Sequence, residues 1–495
     1  MPLIPLQIPA GVHRVGTDFE ASNKWRDANL VRWHQGSMRP VGGWNAREDL
    51  SANFTATPRA MHNWIDNSQD AHRAIASANE LIYVNAGGTA SDITPTSFTT
   101  GSDSASRNTA FGGTFFGTGL YGVKRPTTGQ FQETDVWTLD NWGEYLVGCA
   151  TSDGKLYEWQ LNSATPAAQI ANSPTSCKSL LVTEERFIFA MQAGGNPRKI
   201  AWCDREDNTQ WTPASTNEAG DIELQTSGEI MCGARMRGRA IILTNVDAHI
   251  ATYQGPPYVY GFERVGTACG AVSRKSLVAI DQGAFWMGQE SFYVFDGSVA
   301  TQMQCDVQDY VFENMNKNQI TKCFAVHNSE YGEIWWFYPS QGSTECDRYV
   351  AFDYLEKHWE IGVLDRTCGS DQGVFDEPHW VSPTGIIYEH ELHGVGHGGA
   401  TPYAETGPIS LGNGDTIMRV NQLIPDEATQ GEVQVKFKTR FHPNDTEREY
   451  GAYTMSNPTS VRFSGRQIRM RVEATGIEDW RVGIMRINAE SGGRR

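Results

Sequence analysis

The segment of this chain whose residue types best suit chemistry is His390-Glu-Leu-His-Gly-Val-Gly-His397. Metalloproteases place two histidines four residues apart on one helix face, with a glutamate between them that acts as a base. Here the histidines are three and then four residues apart, and Gly394 and Gly396 interrupt any helix. The spacing therefore favours a polar loop that closes a β-sheet blade, with metal ligation as the less favoured alternative.

A second candidate is the turn Ser152-Asp-Gly154, which precedes the strand-like Lys155-Leu-Tyr-Glu-Trp159. It is similar to the turn motif of sialidase propellers, which would imply a carbohydrate enzyme. Asp-Gly between two strands is also the strongest short hairpin signal, and no arginine triad or carboxylate pair can be assigned from the sequence. The sequence contains no Gly-x-x-x-x-Gly-Lys phosphate loop, no Gly-x-Ser-x-Gly elbow and no EF-hand loop. We therefore predict a protein that is not an enzyme and holds no metal or cofactor.

The elements that would position any site are β-strands, because aromatic and β-branched segments recur along most of the chain. Most of their spacings are close to the roughly 40 to 50 residues of one four-stranded propeller blade. The sequence therefore predicts an all-β fold whose body, residues 56–400, is a β-propeller of about 6–7 blades. The recurring segments are Leu81-Ile-Tyr-Val84, Lys155-Leu-Tyr-Glu-Trp159, Lys199-Ile-Ala-Trp-Cys-Asp204, His249-Ile-Ala-Thr-Tyr-Gln-Gly255, Ser291-Phe-Tyr-Val-Phe-Asp-Gly297, Arg348-Tyr-Val-Ala-Phe-Asp-Tyr354 and Ile386-Ile-Tyr-Glu-His-Glu391.

Composition agrees with a β-rich chain made and kept in the cytosol. Fifty glycines provide turns, and 15 tryptophans, 17 tyrosines and 21 phenylalanines suit pleated surfaces. No apolar run approaches the roughly 18 residues needed to span a bilayer, and the start of the chain lacks the features of a signal peptide. Nine scattered cysteines without a Cys-x-x-Cys pair indicate reduced thiols rather than a disulfide framework.

The formal net charge of −17 bears on whether the surface of the chain would bind DNA. Affinity for phosphates comes from lysine and arginine, so this charge argues against a general DNA-binding surface. A conduit through which DNA slides without sticking would nevertheless suit an acidic lining, because like charges repel.

Two smaller modules flank the predicted propeller. Residues 1–55 are interpreted as an arm with a hairpin over residues 29–33 and 38–44, which must dock on the ring or on a neighbouring subunit. The ends of a propeller chain commonly meet, so we expect the arm over residues 31–44 or the strand near Ile386 to complete a blade. Residues 401–495 are predicted to form a β-sandwich-like module.

Four strands are predicted in the C-terminal module, over residues 417–424, 432–441, 460–473 and 480–487, because apolar and basic residues alternate there. Its arginines form either a solvated strand face, the favoured alternative, or a salt-bridging surface for an acidic partner subunit. These arginines are Arg462, Arg466, Arg469, Arg471, Arg481 and Arg486.

Between the first two blade segments lies an insertion, residues 99–128, rich in serine, threonine and glycine. Its middle, residues 111–122, is aromatic and glycine-rich. Irregular loops beyond about 12 to 15 residues are uncommon in compact domains unless they are functional, so we expect a functional loop, with a disordered linker as the alternative.

Several of these segments together resemble one family, the tail nozzle or hub proteins of short-tailed bacteriophages, also called packaged-DNA stabilisation proteins. The resemblance spans nearly the whole chain and is one of pattern, without a catalytic motif. The segments that carry it are Ile8-Pro-Ala-Gly-Val-His-Arg-Val-Gly-Thr-Asp-Phe19, Arg26-Asp-Ala-Asn-Leu-Val-Arg-Trp33, Met38-Arg-Pro-Val-Gly-Gly-Trp44, Asp347-Arg-Tyr-Val-Ala-Phe-Asp-Tyr354 with Trp359 and Arg366-Thr-Cys368, Val461-Arg-Phe-Ser-Gly-Arg-Gln-Ile-Arg-Met-Arg471, Asp479-Trp-Arg-Val-Gly483 and Gly492-Gly-Arg-Arg495.

The resemblance implies a virion protein of the phage tail, assembled in the host cytoplasm, in which six copies ring the lower tail channel below the adaptor. It implies contacts with the adaptor and with tail fibres or spikes, and DNA that passes through the lumen without specific binding. The family also has loops that gate the channel. The residues we nominate for a channel or gating loop are Phe111, Phe115, Phe116, Leu120 and Tyr121. Those we nominate for subunit or adaptor contacts are Trp33, Arg39, Trp44, Arg466, Arg494 and Arg495.

Two other functions stay open at this point. The aromatic residues near turns also suit a tail protein that binds a host receptor or glycan, although the sequence lacks coiled-coil and collagen-like repeats. A propeller enzyme that degrades surface polysaccharide is the least favoured, because no pair of catalytic carboxylates can be assigned.

Overall fold

The computed structural model describes residues 3–107, 131–410, 416–428, 431–442, 444–455 and 458–492. Nearly all regular structure in these ranges is β-strand. The α-helix α1 (Gln308–Glu313) is the one α-helix among them. No helix in the described part is long and apolar enough to cross a membrane.

The first strands of the chain go to three different places. Their bounds are β1 (Leu3–Pro5), β2 (Trp25–Asn29), β3 (Val31–His34), β4 (Ser37–Pro40) and β5 (Gly43–Asp49). Strands β3 and β4 form the predicted hairpin, whereas β1, β2 and β5 each join a sheet built mainly from distant residues. The expected docking arm is thus divided between the propeller, which β5 joins, and the C-terminal module, which β1 and β2 join.

The body of the protein is a β-propeller, which the sheet order shows directly. After the first blade, the short strands β10 (Ser106–Arg107) and β11 (Phe131–Gln132) pair with each other as the stem of an insertion. The first three blades are β6 (Ala60–Ile65), β7 (Ala71–Ala76), β8 (Leu81–Asn85) and β9 (Ala90–Asp92); β12 (Trp137–Trp142), β13 (Tyr145–Ala150), β14 (Leu156–Trp159) and β15 (Ala168–Gln169); and β16 (Ser179–Val182), β17 (Ile188–Met191), β18 (Lys199–Trp202) and β19 (Gly220–Glu223).

The remaining blades repeat this antiparallel order. They are β20 (Ile230–Met236), β21 (Arg239–Thr244), β22 (Asp247–Gly255) and β23 (Val259–Thr267); β24 (Leu277–Ile280), β25 (Gly283–Met287), β26 (Phe292–Phe295) and β27 (Ala300–Gln302); β28 (Phe324–Asn328), β29 (Glu333–Tyr338), β30 (Arg348–Asp353) and β31 (His358–Val363); and β32 (Cys368–Ser370), β33 (His379–Val381) and β34 (Ile386–Leu392) with β5. Within the described residues the propeller therefore has seven blades.

The last blade closes the ring with strands from both ends of the propeller chain. Strand β5 pairs antiparallel with β34, with Asp49 opposite Ile386 and Gly43 opposite Leu392. The first strands of neighbouring blades contact one another all the way round, and β32 touches β6. The prediction that the strand near Ile386 takes part in closure is confirmed, but its N-terminal partner is β5 and not the β3–β4 hairpin.

The C-terminal module is a β-sandwich, as predicted, but it also contains β1 and β2. Its C-terminal strands are β35 (Tyr403–Thr406), β36 (Ile409–Ser410), β37 (Met418–Ile424), β38 (Val433–Arg440), β39 (Arg448–Thr454), β40 (Thr459–Gly465), β41 (Gln467–Ala474) and β42 (Arg486–Ser491). One sheet has the order β1-β42-β37-β40. The other has the order β2-β35-β41-β38-β39, and β36 also pairs with β41.

Two of the four predicted C-terminal strands need correction. The strand expected over residues 460–473 is two strands, because the chain passes from one sheet to the other at Gly465 and Arg466. The strand expected over residues 480–487 begins at Arg486, and before it Val482 makes an isolated bridge to Met38. The exposed strand β39 was not predicted, since its mainly polar composition gives no alternating pattern.

Separate hydrophobic clusters fill the spaces between neighbouring blades, and the cluster between the fifth and sixth blades continues into the sandwich. There Trp25 and Trp33 pack with ring centroids 5.7 Å apart, and Trp336 and Trp359 belong to the same cluster. Because this one apolar core includes both modules, propeller and sandwich are packed as a unit. All nine cysteines are free, buried thiols.

Candidate functional site

The histidines of 390–397 do not come together around one point. His390 lies buried on β34 and its Nε2 accepts a hydrogen bond from Arg366 Nε at 3.0 Å. His397 Nε2 donates to the Val41 carbonyl at 2.7 Å, whereas His393 is exposed. Burial lowers the pKa of His390 and of His397. Their contacts belong to the closure of the seventh blade. This agrees with the favoured alternative, a polar loop that closes a blade, rather than with metal ligation.

The turn Ser152-Asp-Gly154 is a hairpin turn between β13 and β14. Gly154 has a φ of 67°, and a Cβ there would lie 2.6 Å from the Ser176 backbone. Asp153 accepts a hydrogen bond from the Tyr157 hydroxyl at 2.5 Å. The conformation of the turn therefore explains this motif.

Some of the residues nominated for subunit contacts are buried or half-buried within the chain, and the others lie outside the described ranges. Trp33 is 4% exposed, and Arg39 is buried with Nη2 3.4 Å from Asp479 Oδ2 in the sandwich. Trp44 is half-buried, with its ring 5.3 Å from His390. Arg466 is half-buried in the turn between β40 and β41. The gating-loop residues Phe111, Phe115, Phe116, Leu120 and Tyr121, and the interface residues Arg494 and Arg495, lie outside the described residues.

A buried ion network, which sequence analysis missed, fastens the β3–β4 hairpin to the propeller. Arg32 is 1% exposed and donates two hydrogen bonds to Glu333, at 2.7 and 2.9 Å. It donates two more to Glu391, at 2.7 and 2.6 Å. Its guanidinium also lies 3.7 Å from the centre of the Tyr331 ring. One arginine thus joins the hairpin to the sixth and seventh blades.

The network holds more negative than positive charge, which perturbs the titration of Glu333. Burial, and then the nearby Glu360 and Glu391, raise the pKa of Glu333 above its usual value, although Arg32 opposes the shift. A carboxyl group with a raised pKa in the folded state binds protons that the unfolded chain has already released. Its stabilising contribution is therefore complete at low pH and declines as the pH rises from its usual range through the raised one.

We expect Glu333→Gln to remove this decline, because the amide resembles the protonated carboxyl. The free energy of unfolding, measured by urea denaturation from about pH 5 to about pH 8, should fall more steeply in the native protein than in the variant. The variant's disadvantage should shrink as the pH rises. Parallel curves for the two proteins would show that Glu333 titrates normally in the fold.

One end of the propeller axis is crossed by the stem of the insertion. The stem leaves the ring between the first and second blades, yet Ala105 N–H donates to Gln319 Oε1 at 3.1 Å and Lys322 Nζ donates to Ser104 Oγ at 3.1 Å. Arg274, which precedes the fifth blade, donates to Glu133 at 3.4 Å. These partners lie across the ring. The axis of one copy is therefore obstructed at this end.

The opposite end of the propeller is acidic. The turns that join the first and second strands lie there, and every blade except the fourth places at least one carboxylate in that turn. Burial, and then Glu330 and Glu389, raise the pKa of Glu377. We call this end the acidic turn face; its carboxylates are Asp66, Asp70, Glu144, Glu184, Glu185, Asp281, Glu330, Asp371, Asp376 and Glu377, beside Arg186 and Arg237.

Three arginines lie on the outer side of the sandwich sheet β1-β42-β37-β40, where Glu490 is opposite Arg419 in register. Arg419, Arg462 and Arg486 are exposed there, and within the described chain none of them forms an ion pair. Arg419 and Arg462 border an open depression of about 430 Å³. We call these three residues the arginine face.

Three other predicted stripe arginines behave differently, because Asp and Glu of the same chain pair with them. Arg469 pairs with Asp18 and Glu447, and Arg471 pairs with Glu473. Arg481 lies 3.9 Å from Asp479. The stripe expected from sequence is therefore divided into a paired part and the arginine face, to which Arg419 was not assigned beforehand.

Comparison with known proteins yields likeness of fold alone. No family model matches this sequence, and no curated protein matches it. Among solved structures, virginiamycin B lyase from Staphylococcus aureus is similar with a TM-score of 0.42 and 8% identity, over 70% of this chain and 98% of the lyase. The Pan2 WD40 domain of Neurospora crassa is similar with a TM-score of 0.41 and 9% identity, over 71% of this chain and 96% of that domain. Dihydro-heme d1 dehydrogenase NirN gives a TM-score of 0.39 and 8% identity, over 69% and 63%.

Proposed function

We propose that this chain is a structural subunit of a ring-shaped conduit for DNA, the nozzle or hub of a short-tailed phage tail. The observation that carries the proposal is the separation of surface charge into an acidic turn face and an arginine face on different modules. One charged surface can repel DNA while the other contacts an acidic neighbour. The resemblance of the segments named above supplies the tail, the adaptor and the hexamer as expectations.

The conduit in this proposal runs between copies and not along the axis of one copy. Because the stem crosses that axis, a duplex could pass there only by displacing the stem. A lumen lined by acidic turn faces would present carboxylates to the DNA phosphates, and like charge lowers the affinity. Packaged DNA then passes without adhering.

Ring closure in this proposal uses unlike patches on neighbouring copies. A head-to-tail contact generates a closed ring when its rotation closes. The arginine face provides one patch, because its three exposed guanidinium groups, which form no ion pair with the residues that the structure describes, suit bidentate contacts with carboxylates of the next copy. The function requires no catalytic group, cofactor or membrane anchor, and it places the protein in the virion after assembly in the host cytoplasm.

The proposal is tested by the mass of the full-length protein, alone and within purified tails, and by negative-stain images. We expect a closed oligomer with a central hole, a hexamer if the resemblance holds. A protein that stays monomeric at all concentrations and is missing from tail particles would contradict the proposed function.

We further expect Arg419→Glu, Arg462→Glu and Arg486→Glu together to shift the oligomer to monomer. All three residues are exposed, so the fold and the thermal midpoint should change little. Analytical ultracentrifugation measures the shift, and circular dichroism checks the fold. The control is Arg205→Glu, Arg237→Glu and Arg264→Glu, an equal charge change at exposed propeller positions. If both triple variants assembled equally well, the arginine face would not be part of the interface between copies.

A further inference from the structure

A tight turn in the sixth blade brings together side chains that suit a metal ion. Asp353 ends β30, His358 begins β31, and the two residues are opposite each other in register. Between them, Lys357 has a φ of 62°, which folds the chain back so that Glu356 lies beside both. One donor atom from each of Asp353, Glu356 and His358 lies within 4.8 Å of the other two. Within the described residues this is the one such group.

The geometry of the turn holds two of these side chains in place. Asp353 Oδ1 accepts hydrogen bonds from the backbone N–H groups of Leu355 and Glu356, each at 2.7 Å. Glu356 Oε1 accepts a hydrogen bond from the Gln35 N–H of the β3–β4 hairpin at 2.7 Å. Each carboxylate keeps a second oxygen that can face an ion.

The buried imidazole of His358 and the neighbouring Glu360 give a second observation at this turn. His358 is 7% exposed, and its Nε2 has no hydrogen-bond partner. That nitrogen lies 3.3 Å from Glu360 Oε1, and Glu360 Oε2 also has no hydrogen-bond partner although Glu360 is fully buried. Buried polar atoms in native proteins are normally satisfied, and each exception needs an explanation.

We propose that Asp353, Glu356 and His358 bind one divalent transition-metal ion, of which zinc is the expected occupant. Two carboxylates and an imidazole form a mixed oxygen and nitrogen ligand set that suits zinc. Calcium and magnesium prefer sets made of oxygen alone, so they should bind far more weakly. The ion would also neutralise the negative charge that Asp353, Glu356 and Glu360 bring together.

The place of this turn indicates what the ion would do. The N-terminal part of the chain covers the turn, because Trp33 packs edge-on against His358 with ring centroids 6.2 Å apart. Trp33 N–H also donates to Glu360 Oε1 at 3.0 Å, and the backbone of Gly11 lies against His358. Since Glu356 contacts both the turn and the hairpin, an ion here would strengthen the attachment of the β3–β4 hairpin to the propeller. The role is structural.

The experiment uses the full-length protein after treatment with a chelator and removal of the chelator. Isothermal titration with Zn²⁺ should show one equivalent bound, and the thermal midpoint should rise with Zn²⁺ and not with Ca²⁺ or Mg²⁺. Glu356→Gln, at an exposed position, should weaken Zn²⁺ binding at least tenfold and leave the metal-free midpoint unchanged. Asp353→Asn should weaken binding similarly.

The matched control is Glu330→Gln, an exposed glutamate in another turn of the same blade, which should bind Zn²⁺ as the native protein does. Co²⁺ in place of Zn²⁺ reports on the ligands, because the spectrum should lack the charge-transfer bands of cysteine thiolates. Absence of a stoichiometric Zn²⁺ site, equal binding by Glu356→Gln, or thiolate bands with Co²⁺ would each overturn the proposal.

Discussion

Replacement of Arg32 by methionine should destabilise the protein by about 3–5 kcal/mol, because it leaves the buried carboxylates of Glu333 and Glu391 without their cation. Removing one partner of a buried ion network costs far more than the network contributes, since the remaining charge cannot recover its hydration. Methionine keeps most of the apolar stem of arginine, so lost packing adds little. The free energy of unfolding, measured with urea at neutral pH, gives the result.

The origin of this loss can be separated by removing the carboxylates as well. Arg32→Met combined with Glu333→Gln and Glu391→Gln should recover part of the stability, because no unpaired charge then remains buried. Arg47→Met is the control on the neighbouring strand β5, where partly exposed ion pairs with Glu48 and Glu389 should contribute at most about 1 kcal/mol. If Arg32→Met cost no more than Arg47→Met, the buried network would have little energetic weight.

The strand spacing was predictable from the sequence because the recurring segments are equivalent strands of successive blades. Each of the seven segments coincides with most or all of the third strand of one blade, from β8 at Leu81 to β34 at Ile386. A third strand is covered on both faces by neighbouring blades, so it carries long apolar and aromatic runs.

The passage of the chain from one sandwich sheet to the other, between β40 and β41, could also have been predicted from the sequence. The single strand predicted over residues 460–473 did not include it. Val461 and Phe463 face the core with one parity, whereas Ile468, Met470 and Val472 face it with the other. A single strand keeps its parity, so this change marks the turn at Gly465 and Arg466. The uniform alternation of apolar and basic residues concealed the shift.

The ion network could be anticipated only in part. Arg32 interrupts an apolar strand, and Glu333 is the first residue of the wholly buried strand β29. A charged residue in such a setting needs a partner, so each position could have been marked as paired. Which partner it has depends on the fold, because Arg32 and Glu391 are far apart in sequence. The same holds for the stem, whose contacts across the axis leave no local pattern.

Deletion of residues 1–45 should abolish cooperative folding, because these residues belong to three structures at once. The deletion removes β1 and β2 from the sandwich, the hairpin with Arg32, and the start of the strand that closes the seventh blade. Loss of the two buried tryptophans Trp25 and Trp33 alone removes about 400 Å² of buried apolar surface, which corresponds to about 10 kcal/mol of stabilising free energy. That loss equals the whole stability of a typical domain, about 5–15 kcal/mol.

A shorter deletion separates ring closure from general damage to the chain. Removal of residues 1–7 takes away the edge strand β1 and leaves β5, the hairpin and both tryptophans in place, so the protein should stay soluble and unfold cooperatively. Calorimetry and solubility compare the two deletions. Since the longer deletion leaves Glu389 and Leu392 of β34 without their partners on β5, we also expect that protein to aggregate through strand pairing. A soluble protein lacking residues 1–45, with a thermal midpoint near that of the full chain, would mean that the propeller closes without the start of β5 and without the hairpin.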